Sequence, residues 1–345
     1  MNLSGKRILV VGGAGFIGSH IVDQLVAEGP AEIRVFDNLV RGKKHNIAKA
    51  FKDPRVKIIE GTITDFEGLK KATEGVDGVF HLAALWLGEC VNEPRKAIEV
   101  NVVGTFNVME AARLARVQRV VYSSSASVYG NALATPMTED HPFNNRTMYG
   151  ATKIAGEQFF RAYNDTHKLN YCGLRYMNVY GPRMDYKGTY VSVIMKVLDR
   201  IEQGLPPVIH GDGSQTYDFV HVEDVARCNV LAMKADASDE FFNVGMGTKT
   251  TINELVQKLL ALTGSPLKPE YHPQQHIFVT HRIGSTDKAE KLLGFRAKVQ
   301  LDEGLKSVVD WRMQDSNWKQ ARDGSVPPVV SYENGIFDPA CVVEV

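Results

Sequence analysis

Residues 12–18 read Gly-Gly-Ala-Gly-Phe-Ile-Gly. The apolar run 7–11 leads straight into this loop, and residues 15–29 after it carry apolar side chains at helical spacing. A glycine turn between a buried strand and a helix constrains the fold more than any other feature of the chain. Without Cβ atoms the backbone turns tightly, and the helix that follows presents free N–H groups and the positive end of its dipole. The rhythm then repeats. Apolar runs at 33–36, 56–60, 76–81, 119–123 and 170–175 predict strands, and the helical spacing over 98–115 and 149–167 predicts long helices. Strand, helix, strand in this order predicts an α/β fold, a Rossmann-type doubly wound parallel sheet with helices on both faces.

After about Asn178 the rhythm weakens. Gly181-Pro182, Pro206-Pro207, Gly211 and Gly213 interrupt it, and the strands and helices read shorter. This predicts a smaller α/β C-terminal lobe that forms one wall of a cleft. The sheet domain is expected over 1–177 plus about 218–243, and the second, substrate-binding lobe over 178–217 and 244–320. Residues 321–345 have prolines, mixed polarity and no period, and read as a loosely attached tail.

Composition excludes several classes. The chain has 345 residues, 44% of them hydrophobic, enough for a large core. Lys plus Arg and Asp plus Glu number 40 each. Zero net charge gives no electrostatic reason to expect nucleic acid or an anionic membrane as partner. Cys90, Cys172, Cys228 and Cys341 are scattered without metal-ligand spacing, so no metal site and no disulfide framework is expected. No secretory pattern opens the chain, and no apolar run approaches the roughly 20 residues that span a bilayer. The expectation is a soluble cytoplasmic protein.

The glycine loop sits where a dinucleotide site needs it, after a strand and before a helix. An acidic residue is expected about 20 positions on, at the end of the second strand, and Asp37 stands there. A carboxylate there bonds a ribose diol and repels a 2′-phosphate, which favours NAD over NADP. Arg41, Lys43 and Lys44 lie just downstream and read as solvated loop charges. The competing reading is a purely structural glycine turn.

The second informative pattern is Tyr149-Gly150-Ala151-Thr152-Lys153, preceded along the chain by Ser123-Ser124-Ser125. Tyr149 and Lys153, four apart, share a helix face. A phenol with a pKa near 10 is a poor base at neutral pH, and an adjacent ammonium together with the positive nicotinamide ring favours the phenolate. A serine at the end of a strand reaching the cleft can hold the reacting oxygen. Taken alone, a tyrosine and a lysine at this spacing also occur by chance.

With these motifs the chain resembles the extended short-chain dehydrogenase/reductase family, in its NAD-dependent nucleotide-sugar epimerase and dehydratase branch, and within it the UDP-glucose 4-epimerases. The resemblance runs over roughly 5–315 and includes FDNLVRG at 36–42, HLAA at 81–84, VNVVGT at 100–105, SSSASVYG at 123–130, RYMNVYGPR at 175–183 and GDGSQTYDFVHVEDVA at 211–226. It implies that Gly12, Gly15 and Gly18, with the N–H groups of Phe16 and Ile17, bind the pyrophosphate. Asp37, Asn38 and Gly42 would hold the adenosine ribose, and Thr62 and Ile63 would flank the adenine. Leu82, Ala83, Ala84, Asn101, Ser123, Tyr176 and Val179 would line the cofactor on its nicotinamide side, with Lys153 on the ribose. Tyr149 would be the base, Ser125 would touch the sugar hydroxyl, and Asn178 would contact the substrate.

The stretch Ser125-Ala126-Ser127 has no acid, where family members that eliminate or decarboxylate usually carry one. That resembles the epimerases. In the mechanism this implies, Tyr149 takes the hydroxyl proton while a hydride passes to NAD. The keto-sugar turns over, and the hydride returns to its other face. The cofactor is then recycled and tightly held. Several positions depart from the family pattern. Thr62 replaces an aspartate, and Trp86 stands where a lysine is usual, as a stacking surface for the sugar or as core. Tyr217 replaces a diphosphate-binding arginine, and Gln274 and Gln275 stand near the place of another. Arg282 lies close by and is expected to supply the missing charge or to read a carboxylate on the sugar. A uronic acid or otherwise modified nucleotide sugar, acted on by another epimerase or a dehydrogenase/reductase, is therefore the alternative; a non-catalytic dinucleotide sensor is the third. His81, His210 and His221 read as structural histidines, and Val102, Phe106 and Met109 as core or interface. In the family the helices near 98–115 and 150–167 pair about a twofold axis, which implies a homodimer. Surface-polysaccharide precursor synthesis is the setting the resemblance suggests.

Overall fold

The computed structural model describes residues 1–186, 192–273 and 281–314. Its centre is a seven-stranded sheet. Along the chain the elements are strand β1 (Arg7–Val11), helix α1 (Phe16–Ala27), β2 (Glu32–Asp37), β3 (Val56–Glu60), α2 (Phe66–Thr73) and β4 (Gly78–His81). They continue with α3 (Gly104–Leu114), β5 (Arg119–Ser125), α4 (Met148–His167), β6 (Tyr171–Tyr176), α5 (Val222–Lys234) and β7 (Glu240–Val244). The strand order is β7-β6-β5-β4-β1-β2-β3, and every pairing in the sheet is parallel.

The near-unbroken apolar strands follow from this architecture. Along β1, Ile8 and Val10 belong to one core cluster and Leu9 and Val11 to another, so successive side chains are buried on opposite faces. The first core holds Ile21, Val22 and Leu25 of α1 with Val225 and Cys228 of α5. The second holds Leu69 of α2, Val108 and Met109 of α3, and Phe160 of α4. The chain reverses direction across the sheet between β1 and β4, and the crevice at that switch point opens at the carboxyl ends of the strands.

Four expectations are corrected. β5 runs two residues past 123, so Ser124 and Ser125 pair with Arg175 and Tyr176 of β6. The helix expected over 98–115 is composite: a wide π-helical stretch, Ile98–Val103, precedes α3. β7 was not read, because a single Phe-Phe-Asn-Val run carries little period. After residue 178 the strands are short, two or three residues apart from β7, but the helices Val193–Glu202, Ile252–Thr263 and Leu301–Met313 are not.

Those helices enclose a third core, with Leu198, Leu255, Leu259, Leu305 and Val308 at its centre. It is tied to the sheet domain at α1. Arg183 pairs with Asp23 at 2.6 Å, and the His20 ring meets the Pro182 carbonyl at 3.0 Å. Gln274, Gln275 and the stretch 321–345 lie outside the described residues.

Candidate functional site

A cavity of about 630 Å³ opens at the carboxyl edge of the sheet. The glycine loop, the ends of β2, β4, β5 and β6, the start of α4 and the third core all contribute to its wall. Of the residues singled out in the sequence, Gly12, Gly15, Phe16, Ile17, Gly18, Asp37, Asn38, Gly42, Thr62 and Ile63 line one end. Leu82, Ala83, Ala84, Trp86, Ser123, Ser125, Tyr149, Lys153, Tyr176, Asn178, Val179, Tyr217 and Arg282 line the remainder.

The glycine loop is sterically committed. Gly12 has φ +81°, and a Cβ there would lie 2.7 Å from the Ala83 nitrogen. A Cβ on Gly18 would lie 2.3 Å from the Gly12 carbonyl oxygen. No side chain caps α1, and no acid occupies its first turn. Its leading N–H groups therefore remain for an anion. Asp37 is buried, and its carboxylate accepts the N–H of Ala14 at 3.0 Å and of Leu39 at 2.9 Å. Burial raises its pKa, against those two bonds. This uncapped helix start, with a carboxylate at the end of β2, fits NAD.

Asn101 is the exception among the predicted residues. It is buried one layer behind the wall. Its amide accepts the Leu85 N–H at 2.7 Å and donates to the Leu85 carbonyl at 2.8 Å and to Thr152 Oγ1 at 3.2 Å. It fixes the segment after β4 against α4 and is not among the residues that line the cavity.

At the other end, α4 starts on a Thr147 cap whose hydroxyl accepts the Gly150 N–H at 3.0 Å. That sets the frame of Tyr149 and Lys153. Lys153 is buried, and its Nζ donates to the Ser123 carbonyl at 2.8 Å. Burial lowers its pKa to about 8, opposed by the nearby Cys90 and Glu157. Its Nζ is 5.6 Å from the Tyr149 ring centroid. His81 is fully buried near it and bonds Thr105 at 3.0 Å; burial, then the Lys153 charge, drops its pKa to about 3. His81 is thus neutral. Ser125 Oγ accepts the Ser127 N–H at 3.1 Å. Ser123 bonds the Tyr176 hydroxyl at 2.9 Å, and Tyr176 donates to Asn229 at 2.9 Å.

In the second lobe, Arg282 and Tyr217 are register partners on parallel strands. Burial pushes the Tyr217 phenol up to about 12, with Arg282 opposing. The Asn178 amide donates to the Asp218 carbonyl at 3.1 Å.

Sequence reasoning missed two features. Arg41 is not a solvated charge: its guanidinium lies 3.7 Å from the centre of the Trp86 ring, 3.3 Å from Asp185 and 3.7 Å from Glu89. Lys43 and Lys44 are exposed, as read. Beneath the serine run lies a buried network. Ser124 Oγ donates to Glu157 at 2.6 Å, and Arg175 grips the same carboxylate through two nitrogens, at 2.9 and 2.7 Å. The eight-residue step from Tyr149 to Glu157 along one helix face was the available signal.

A family model described as the NAD dependent epimerase/dehydratase family matches residues 8–245. The chain belongs to that family. It is an NAD-dependent enzyme, similar along nearly its whole length to nucleotide-sugar epimerases. A putative UDP-glucose 4-epimerase of Methanocaldococcus jannaschii is 37% identical over 313 residues, 90% of this chain and 99% of the relative. The solved UDP-N-acetylglucosamine 4-epimerase of Methanobrevibacter ruminantium M1, in complex with UDP-N-acetylmuramic acid, superposes with a TM-score of 0.86 at 31% identity, covering 90% of this chain and 99% of that one. The UDP-glucose 4-epimerase of Thermotoga maritima with UDP-glucose gives 0.84 at 35% identity, covering 89% and 99%.

Proposed function

We propose that this enzyme epimerises a nucleoside-diphosphate hexose at carbon 4 through a transient keto-sugar, with Tyr149 as the base. One observation carries the reading. The carboxylates among the described lining residues are Asp37, Glu89 and Asp185. Asp37 holds the glycine loop, and Arg41 contacts the other two. The Ser125 end therefore has no acid to drive an elimination, while a phenol, a buried lysine and serine hydroxyls are present there.

Gly12, Gly15, Gly18 and Asp37 would hold NAD, which when bound supplies a two-electron acceptor and donor. Tyr149 takes the proton of the sugar hydroxyl and later gives it back. Lys153 holds positive charge beside that phenol, which favours its deprotonated form. Ser125 orients the hydroxyl. On this reading NAD is recycled in place, 1–177 with about 218–243 forms its domain, and 178–217 with 244–320 forms the substrate-binding lobe.

A second substrate is favoured by Arg282. Only 9% exposed and facing the cavity beside Tyr217, it suits a carboxylate on the sugar. The Methanobrevibacter ruminantium epimerase was solved with an acidic nucleotide sugar, which supports this variant of the same reaction.

The enzyme is proposed to work as a homodimer through α3, the π-helical stretch before it and α4, which together expose Val103, Phe106, Leu114 and Met148. No helix among the described residues is long and apolar enough to cross a membrane. The proposed location is the cytoplasm, consistent with Cys90, Cys172 and Cys228 standing outside any disulfide.

The test is proton NMR of the purified protein with UDP-hexoses, UDP-N-acetylhexosamines and UDP-hexuronic acids, no NAD being added. A 4-epimer appearing supports the reaction and a retained cofactor. Elimination or decarboxylation products, or net reduction of NAD supplied in a parallel incubation, would overturn it.

A further inference from the structure

Arg41 ties together three parts of the chain that are far apart in sequence. It sits on the loop after β2, beside Asp37 and Gly42. Trp86 precedes the short helix Leu87–Asn92 after β4, and Asp185 belongs to the segment that follows the strand Asn178–Tyr180. The guanidinium carbon is 3.7 Å from the indole centroid, so the cation lies against the ring. One terminal nitrogen is 3.3 Å from Asp185 and the other 3.7 Å from Glu89. Arg41, Trp86, Glu89 and Asp185 all line the cavity that also contains the glycine loop.

We propose that Arg41 is a clasp across the cofactor cleft, which sets how long NAD stays bound. An isolated, one-third exposed ion pair contributes little. Here one planar group, on the loop after β2, makes three contacts at once, two with the Trp86–Glu89 segment after β4 and one with Asp185 in the second lobe. Moving any one segment away strips the guanidinium of a partner. Arginine suits the task because its flat face stacks while its edges meet carboxylates, and because it keeps its charge at every physiological pH. Two carboxylates around one cation also leave Arg41 little capacity to attract a 2′-phosphate.

The inference rests on the proposal that NAD is recycled in place, and the test separates the two. The protein is loaded with NAD and gel-filtered. Release is then followed by trapping freed NAD with excess alcohol dehydrogenase and ethanol. Wild type, Arg41→Ala, Arg41→Lys and Trp86→Leu are compared, with circular dichroism confirming that each is folded. The expected result is release about 10-fold faster in Arg41→Ala and Trp86→Leu, with Arg41→Lys between, because an ammonium keeps the charge and loses the stack. Wild-type retention with equal retention by the folded Arg41→Ala and Trp86→Leu variants overturns the clasp alone. Loss of NAD from the wild type during gel filtration overturns the recycled-cofactor reading, and the clasp with it.

Discussion

The ammonium of Lys153 donates to the backbone carbonyl of Ser123 at 2.8 Å, so the helix that carries Tyr149 is pinned to the strand that carries the serines. A single buried side chain thereby sets the distance between the proposed base and the proposed hydroxyl holder. The same burial that makes this bond short makes the charge expensive.

That cost has a pH signature. Burial lowers Lys153 from 10.5 to about 8. Below about pH 8 the ammonium supports the Tyr149 phenolate, and above it the support is lost, so kcat/KM is expected to fall as pH rises through 8. Lys153→Arg moves this limb beyond the measurable range, and Lys153→Met lowers kcat by about 10²–10⁴-fold. Stability runs the other way. Between about pH 8 and 10.5 the unfolded chain binds more protons at this lysine, so wild-type stability gains over that window and Lys153→Met lacks the gain. A pH–rate profile and urea titrations check both; a wild-type rate that is level through pH 8 would sink the role of Lys153.

Gly42 packs on the Asp37 carboxylate. A Cβ there would stand 2.5 Å from Oδ1 of Asp37, which is itself fixed by the Ala14 and Leu39 N–H groups. Gly42→Ala must displace the carboxylate. NAD affinity of the apoprotein is expected to drop about 10-fold, the worth of one charge-assisted hydrogen bond, with a stability loss of about 1–3 kcal/mol as those N–H groups lose their acceptor. Calorimetric titration measures it, and unchanged affinity would remove Asp37 from the NAD site.

The glycine loop, Asp37, Tyr149 and Lys153 were legible because each obeys a local rule: strand before loop, acid at the strand end, four-residue helical spacing. The parallel sheet was legible because continuous apolar runs mean burial on both faces. Arg41 was not, because nothing in Asp-Asn-Leu-Val-Arg-Gly signals that Trp86 and Asp185 will meet it in space. Asn101 was assigned to the nicotinamide side by the resemblance alone, and no local pattern signals that its amide bonds Leu85 and Thr152. The split of one carboxylate between Ser124 and Arg175 likewise depends on β5 running two residues longer than its apolar pattern.

That carboxylate yields a stability prediction. Glu157 and Arg175 are 1% and 5% exposed. Glu157→Gln leaves the guanidinium without its counter-charge and is expected to cost about 3–5 kcal/mol. Replacing both, as Glu157→Leu with Arg175→Met, is expected to cost clearly less than the single change, because no buried charge remains. Urea denaturation of the three proteins decides it. If the double variant loses as much as the single one, the network is held by shape and hydrogen bonding and not by charge.

The outer face of α3 gives the last prediction. Phe106 is 41% exposed although its ring meets Tyr163 edge-on at 5.9 Å and Phe159 at 6.5 Å on α4. Val103, the last residue before α3, and Leu114 at its end extend the same stripe, three residues before Phe106 and eight after it, and both are more exposed still. Three aromatic rings spanning two helices and flanked by exposed aliphatic side chains present apolar surface to water, which a second copy of the face would remove. Phe106→Glu places a carboxylate in the middle of that stripe, where a twofold partner would bring its own copy close. The wild type is expected to elute at twice the chain mass by light scattering and Phe106→Glu at the chain mass, with NAD binding retained because Phe106 is not among the residues that line the cavity. A monomeric wild type would leave the stripe without the proposed partner and refute the dimer.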